Sequence, residues 1–175
     1  MAAEFIVQDV DSPTDDANAY IEVEFFEQYC LDRGYTYTAT DEEIQVAIVK
    51  ATDYIDARWK FKGQRKQSYQ STECPRARVF SPTTGHYIDD LPLRFKEACA
   101  EYAFLALTQS LMPNPSQDAS GRVVVEVEKT LPDGIGQRYK YGGGGTAYLW
   151  PQYPLADRKM RSTEMLTSGG GIVRG

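Results

Sequence analysis

From Thr40 to Trp59 the sequence admits one regular structure. Ile44, Ala47, Ile48, Ala51, Ile55 and Trp59 recur at helical spacing and make a single apolar face. Thr40 followed three places on by Glu43 forms a capping box, in which each side chain accepts the other residue's free backbone N–H. Ala47 and Ala51 lie one turn apart on that face, so a second helix can approach closely there. The segment Pro92 to Leu111 suits that partner. Phe95, Ala98, Cys99, Tyr102, Ala103, Ala106 and Leu107 mark its face, Asp89 and Asp90 precede its positive end, and Pro113 and Pro115 close it. A third helix is predicted ahead of them, with Val23, Phe26, Tyr29 and Cys30 or Leu31 as its stripe and Gly34 as its stop.

The predicted fold is therefore mainly α with a small β part: a three-helix core, a β-hairpin and an extended C-terminal arm. Residues 1–17 read as an acidic N-terminal arm and 18–111 as the helical core with a basic, irregular insertion at 60–91. Residues 112–145 read as a hairpin and glycine joint, and 146–175 as an aromatic segment, a short helix from Leu155 to Leu166 and a docking tail. A small irregular hairpin is predicted around Ser81 to Gly85. After Pro115 the period of the pattern falls to two, so Arg122 to Thr130 is a strand, with Val123, Val125 and Val127 on one side. A three-residue loop with Gly134 left-handed sets Glu128 against Arg138, Glu126 against Lys140, Val127 against Tyr139 and Val125 against Tyr141. Gly142 to Gly145 lacks the Gly-Lys-Ser/Thr ending of a phosphate loop and reads as a joint.

Chemistry has few footholds. Three cysteines without Cys-x-x-Cys spacing argue against a disulfide framework or a zinc site. The single histidine, His86, sits in a turn. Asp53 with Asp56, or Glu42 with Glu43, are the available carboxylate pairs, and they read as solvated or capping groups. No enzyme, cofactor or metal is expected. No apolar run has the length of a membrane span, and the N-terminus lacks the basic region of a secretion signal, so synthesis in the cytoplasm and no membrane are expected.

Charge is unevenly distributed. The chain is −6 overall, yet residues 1–57 hold fourteen acidic and two basic side chains, whereas 58–78 hold seven basic and one acidic. Arg58, Lys60, Lys62, Arg65, Lys66, Arg76 and Arg78 form that basic segment, interleaved with Trp59, Phe61 and Tyr69. It reads as a subunit or DNA contact, or equally as a helix end anchored by Trp59 and Phe61 with its lysines in water. Opposite charges in separate patches let copies join head to tail or hold a partner by each end; read as ordinary surface, they are solvated faces that happen to cluster. At the end of the chain Gly169, Gly170 and Gly171 tether Ile172, Val173 and Arg174, an apolar pair that only a partner surface can use.

These features resemble, in order, the phage head-to-tail adaptor or neck proteins, a family often labelled DnaT-like single-stranded-DNA-binding proteins. The carrying residues are Asn18-Ala-Tyr-Ile, Leu31-Asp-Arg-Gly34, Ala51-Thr-Asp-Tyr-Ile-Asp56 leading to Trp59, Lys62-Gly-Gln-Arg65, Pro75-Arg76, and Ile88 to Pro92 opening Lys96 to Ala103. Cys74 stands where the family often has tryptophan, and Tyr148 to Tyr153 does not align with the family's motifs. The resemblance implies a virion structural protein that forms a ring of twelve copies under the portal, continues the DNA channel and meets the next tail or neck component. It implies assembly roles for the tail and for the hairpin residues Val123, Val125, Val127, Glu126, Glu128, Arg138, Tyr139 and Lys140. The alternative is a single-stranded nucleic-acid-binding module using residues 58–78.

Overall fold

The computed structural model of the chain, which describes residues 4–113, 124–130, 136–141 and 151–167, places its most buried stretch at Ala98, Cys99, Ala100, Glu101, Tyr102 and Ala103. They belong to helix α3 (Leu93–Ala106), and α1 (Val23–Arg33), α2 (Asp41–Arg58) and α4 (Pro154–Arg161) all pack against it. A helix surrounded in this way must be apolar around most of its circumference, and α3 is the one that is. It ends at Ala106, short of the expected Leu111, because Thr108, Gln109 and Ser110 are exposed and offer no face to bury. The fold is mainly α with a small β part.

The local signals act where they stand. Thr40 accepts the Glu43 N–H, and the Glu43 carboxylate accepts the Thr40 N–H at 2.8 Å, so both arms of the capping box close. Ala47 and Ala51 are buried against α3. Gly34 caps α1 with φ +65°, a conformation glycine adopts without strain. Cys30, not Leu31, completes the α1 stripe; Leu31 is 73% exposed.

Two expected boundaries differ. The N-terminal arm, from residue 4 onward, is pinned to the core: Val7 bridges Ala19, and Gln8 N–H donates to the Ala19 carbonyl at 2.8 Å. Pro13 and Ala17 are buried, and the Tyr20 ring meets Phe95 edge-on at 4.9 Å. Short apolar residues spaced among the acids, invisible to a charge count, hold this segment. The C-terminal arm is also corrected, for residues 151–167. They form one compact unit with Met1–Leu111, while Met112–Trp150 forms another. After α4 the chain runs beside the end of α2, with Lys62 N–H donating to Met165 O at 2.7 Å and Thr167 N–H to Lys60 O at 2.9 Å.

Within 60–91 two antiparallel pairs occur, β1 (Gln64–Arg65) with β2 (Arg76–Ala77), and β3 (Val79–Phe80) with β4 (Tyr87–Ile88). The second is the hairpin expected around Ser81 to Gly85. Gly63, φ +68°, makes the first possible, since a Cβ there would run into the Ala77 carbonyl.

The other unit contains β5 (Val124–Thr130) and β6 (Gly136–Tyr141), paired antiparallel. Glu128↔Arg138, Glu126↔Lys140 and Val127↔Tyr139 follow the expected register. The last pair differs: Val124, not Val125, is opposite Tyr141, because the register shifts between Val124 and Glu126 as a bulge shifts it. Val123 and the loop at 131–135 lie outside the described residues.

Candidate assembly surfaces

The chain leaves the helical unit after Leu111 and re-enters it at Pro151, and both ends are tied. The Tyr153 hydroxyl donates to the Leu111 carbonyl at 3.2 Å. Arg58 then holds α4: it pairs with Asp157 at 2.7 Å, donates to Pro151 O at 2.6 Å and contacts the Tyr54 hydroxyl. Asp157 also accepts from Tyr102 OH at 2.7 Å. Glu97 collects a second set of partners: Lys159 at 2.8 Å, Arg33 at 3.0 Å and Arg94 at 3.1 Å. Burial works to raise the Glu97 pKa, yet the Lys159 hydrogen bond and the three cations hold it below the usual range.

The basic segment is therefore largely committed inside the chain. Arg58, expected among the outward contacts, has a side chain only 6% exposed, because Asp157 returns from the far end of the sequence to neutralise it. Lys62 donates to Glu164 O at 2.9 Å, and Lys66 to Val10 O at 2.9 Å. Arg65 and Arg76 share Glu73. Lys60 and Arg78 remain exposed without a side-chain partner among the described residues. Trp59 and Phe61 are buried, so they anchor the end of α2. The hairpin contributes its β5–β6 backbone register; the tail Gly169, Gly170, Gly171, Ile172, Val173 and Arg174 lies outside the described residues.

Of the carboxylate pairs, Glu43 serves as a cap and Asp56 is a packing group. Asp56 accepts from the Tyr20 hydroxyl and from Glu73 N–H at 3.0 Å, and Tyr20 OH in turn accepts from Cys74 N–H. Burial outweighs these bonds and pushes Asp56 up to about 6. A carboxyl group whose pKa is raised by folding stabilises the fold while protonated. That contribution is complete below the unfolded value of about 4 and is lost as pH rises through about 6. Chemical denaturation of wild type and Asp56→Asn should show the wild type losing about 2–3 kcal/mol relative to the variant between pH 4 and pH 7. A constant difference across that range would rule this out.

Sequence reasoning missed three surface features. Phe80 and Tyr87, both exposed, pair across β3 and β4 with ring centroids 5.7 Å apart. Beside α1 runs a groove of about 530 Å³ whose lining includes Glu24, Glu27, Leu31, Tyr35 and Tyr37. The third is the outer face of α4, with Leu155, Arg158 and Arg161 exposed. The helix was expected over Leu155 to Leu166; the four-residue spacing of Ala156 and Met160 was the available signal for its inner face, and so for its outer one, but the buried Asp157 disguised it.

Among the described residues no His, Cys, Asp or Glu group is placed to hold a metal ion, and no helix is long and apolar enough to cross a membrane. Fold and surfaces together define a helical scaffold with an inserted β-ribbon and charged outer faces. The chain belongs to the family described as "Putative DnaT-like ssDNA binding protein", whose model matches residues 3–173. No curated protein and no solved structure matches it.

Proposed function

We propose that the protein is a virion structural component, a head-to-tail adaptor whose ring joins the phage portal to the tail and continues the DNA channel. The observation that carries this reading is the form of the unit Met112–Trp150: β5 and β6 pair only with each other among the described residues. A two-stranded ribbon is marginal by itself in water, and a neighbouring subunit would supply the surface it needs. The sequence resemblance to neck adaptors supplies the assembly. Ile172 and Val173 on their glycine tether are the portal-docking element.

A chain ending at Thr167 should no longer co-purify with portal rings. Its melting temperature should be unchanged, because Thr167 and its bonds to Lys60 are retained. Undiminished portal binding would refute the docking role.

The family's description favours a second reading, a single-stranded nucleic-acid-binding module. Against it stands the internal use of Arg58, Lys62, Arg65, Lys66 and Arg76. Phosphate contacts weaken steeply with salt, so titration with a labelled oligonucleotide across a salt series separates the two readings: tight, salt-sensitive binding would favour this one.

A further inference from the structure

Two helices of the core present outer faces that are largely unused by the described residues. On α1, Glu24, Glu27 and Leu31 recur at three and four residues, so they share one side of the helix. All three are exposed, and among the described residues neither glutamate has a side-chain hydrogen bond or ion pair. On α4, Leu155, Arg158 and Arg161 recur at three residues and are likewise exposed. Among the described residues Arg158 has no side-chain partner, and Arg161 has only the Trp59 ring, 5.8 Å away. Leu31 is 73% exposed and Leu155 51%, a high exposure for leucines flanked by unpaired charges.

The two faces match in sign and in spacing. Each is about 10 Å long at 1.5 Å per residue. Laid antiparallel, they set Leu31 against Leu155, Glu27 against Arg158 and Glu24 against Arg161. A parallel arrangement sets Leu31 against Arg161 and Glu24 against Leu155 and loses the match. The faces lie on different helices, so a contact between them is heterologous and repeats from copy to copy until the rotation closes a ring.

We infer that the α1 face of one copy receives the α4 face of the next, in this antiparallel register. The inference rests on the ring reading above and names the surfaces that would build it. Exposed ion pairs contribute little free energy each; here they fix register and exclude the wrong partner face, while Leu31, Leu155 and the groove beside Tyr35 and Tyr37 bury apolar surface.

The test uses full-length chains carrying Glu27→Arg or Arg158→Glu, with molecular mass followed by sedimentation across protein concentration and ionic strength. Both positions are exposed, so thermal unfolding should match the wild type. Each reversal should weaken self-association by about tenfold or more, since it sets like charges together. An equimolar mixture should regain it, because every junction in an alternating assembly is again complementary. If either variant associates like the wild type, or the mixture stays apart, the contact is wrong and the ring reading survives. A wild-type chain that stays single under all these conditions overturns the contact, and failure to bind portal as well overturns the ring reading.

Discussion

Replacing Asp157 by alanine should cost about 3–5 kcal/mol in urea denaturation, because it leaves the Arg58 guanidinium buried with no counter-charge. The Tyr102 hydroxyl loses its acceptor in the same step. Since Asp157 anchors α4, limited proteolysis within 151–167 should accelerate together with the loss of stability. Removing both charges is a different experiment. Arg58→Met with Asp157→Leu leaves no uncompensated charge at this site and should recover most of the loss, as well-packed apolar replacements of buried pairs often do. Equal destabilisation by the single and the double variant would show that the loss comes from the hydrogen bonds the pair makes to Tyr102 and Pro151, and not from an uncompensated charge.

Phe95→Ala should cost a comparable amount, about 3–5 kcal/mol. The ring is fully buried, meets Tyr20 at 4.9 Å and Phe61 at 6.0 Å, and so joins α3 to the N-terminal segment and to the start of the insertion. Hydrogen exchange would separate this from a uniform loss: protection should fall at Gln8 and Asn18, whose N–H groups hold the N-terminal segment. Retained protection there would mean that the segment is held independently of Phe95.

The functional consequence of the fold lies in what α4 does. A C-terminal arm with nothing of its own to bury would have needed another chain for every part of it. Residues 151–167 instead bury Ala156, Met160 and Met165 in the helical unit. In the assembly proposed above, the surfaces left for partners are the β-ribbon, the outer faces of α1 and α4, and the tail; charge reversal tests the faces, and truncation after Thr167 tests the tail.

Reading the chain in order was enough wherever the deciding groups are neighbours. The capping box at Thr40 and Glu43 and the left-handed Gly34 each follow from contacts within a few residues, and the pairing of Glu126, Val127 and Glu128 follows from the short span between the two strands. The bulge at Val124 escaped because alternation alone does not record an extra residue. Thr40 to Trp59, the later α2, carries the most complete helix signals in the sequence, a capping box and an apolar face together. α3 took the centre instead, since which helix is surrounded depends on where the fourth one lands. Arg58 and Asp157 are 99 positions apart. No local pattern states that a cation in a basic run will be desolvated by a carboxylate so distant. Chain closure in three dimensions set that pairing, and with it the difference between an outward basic patch and an internal clasp.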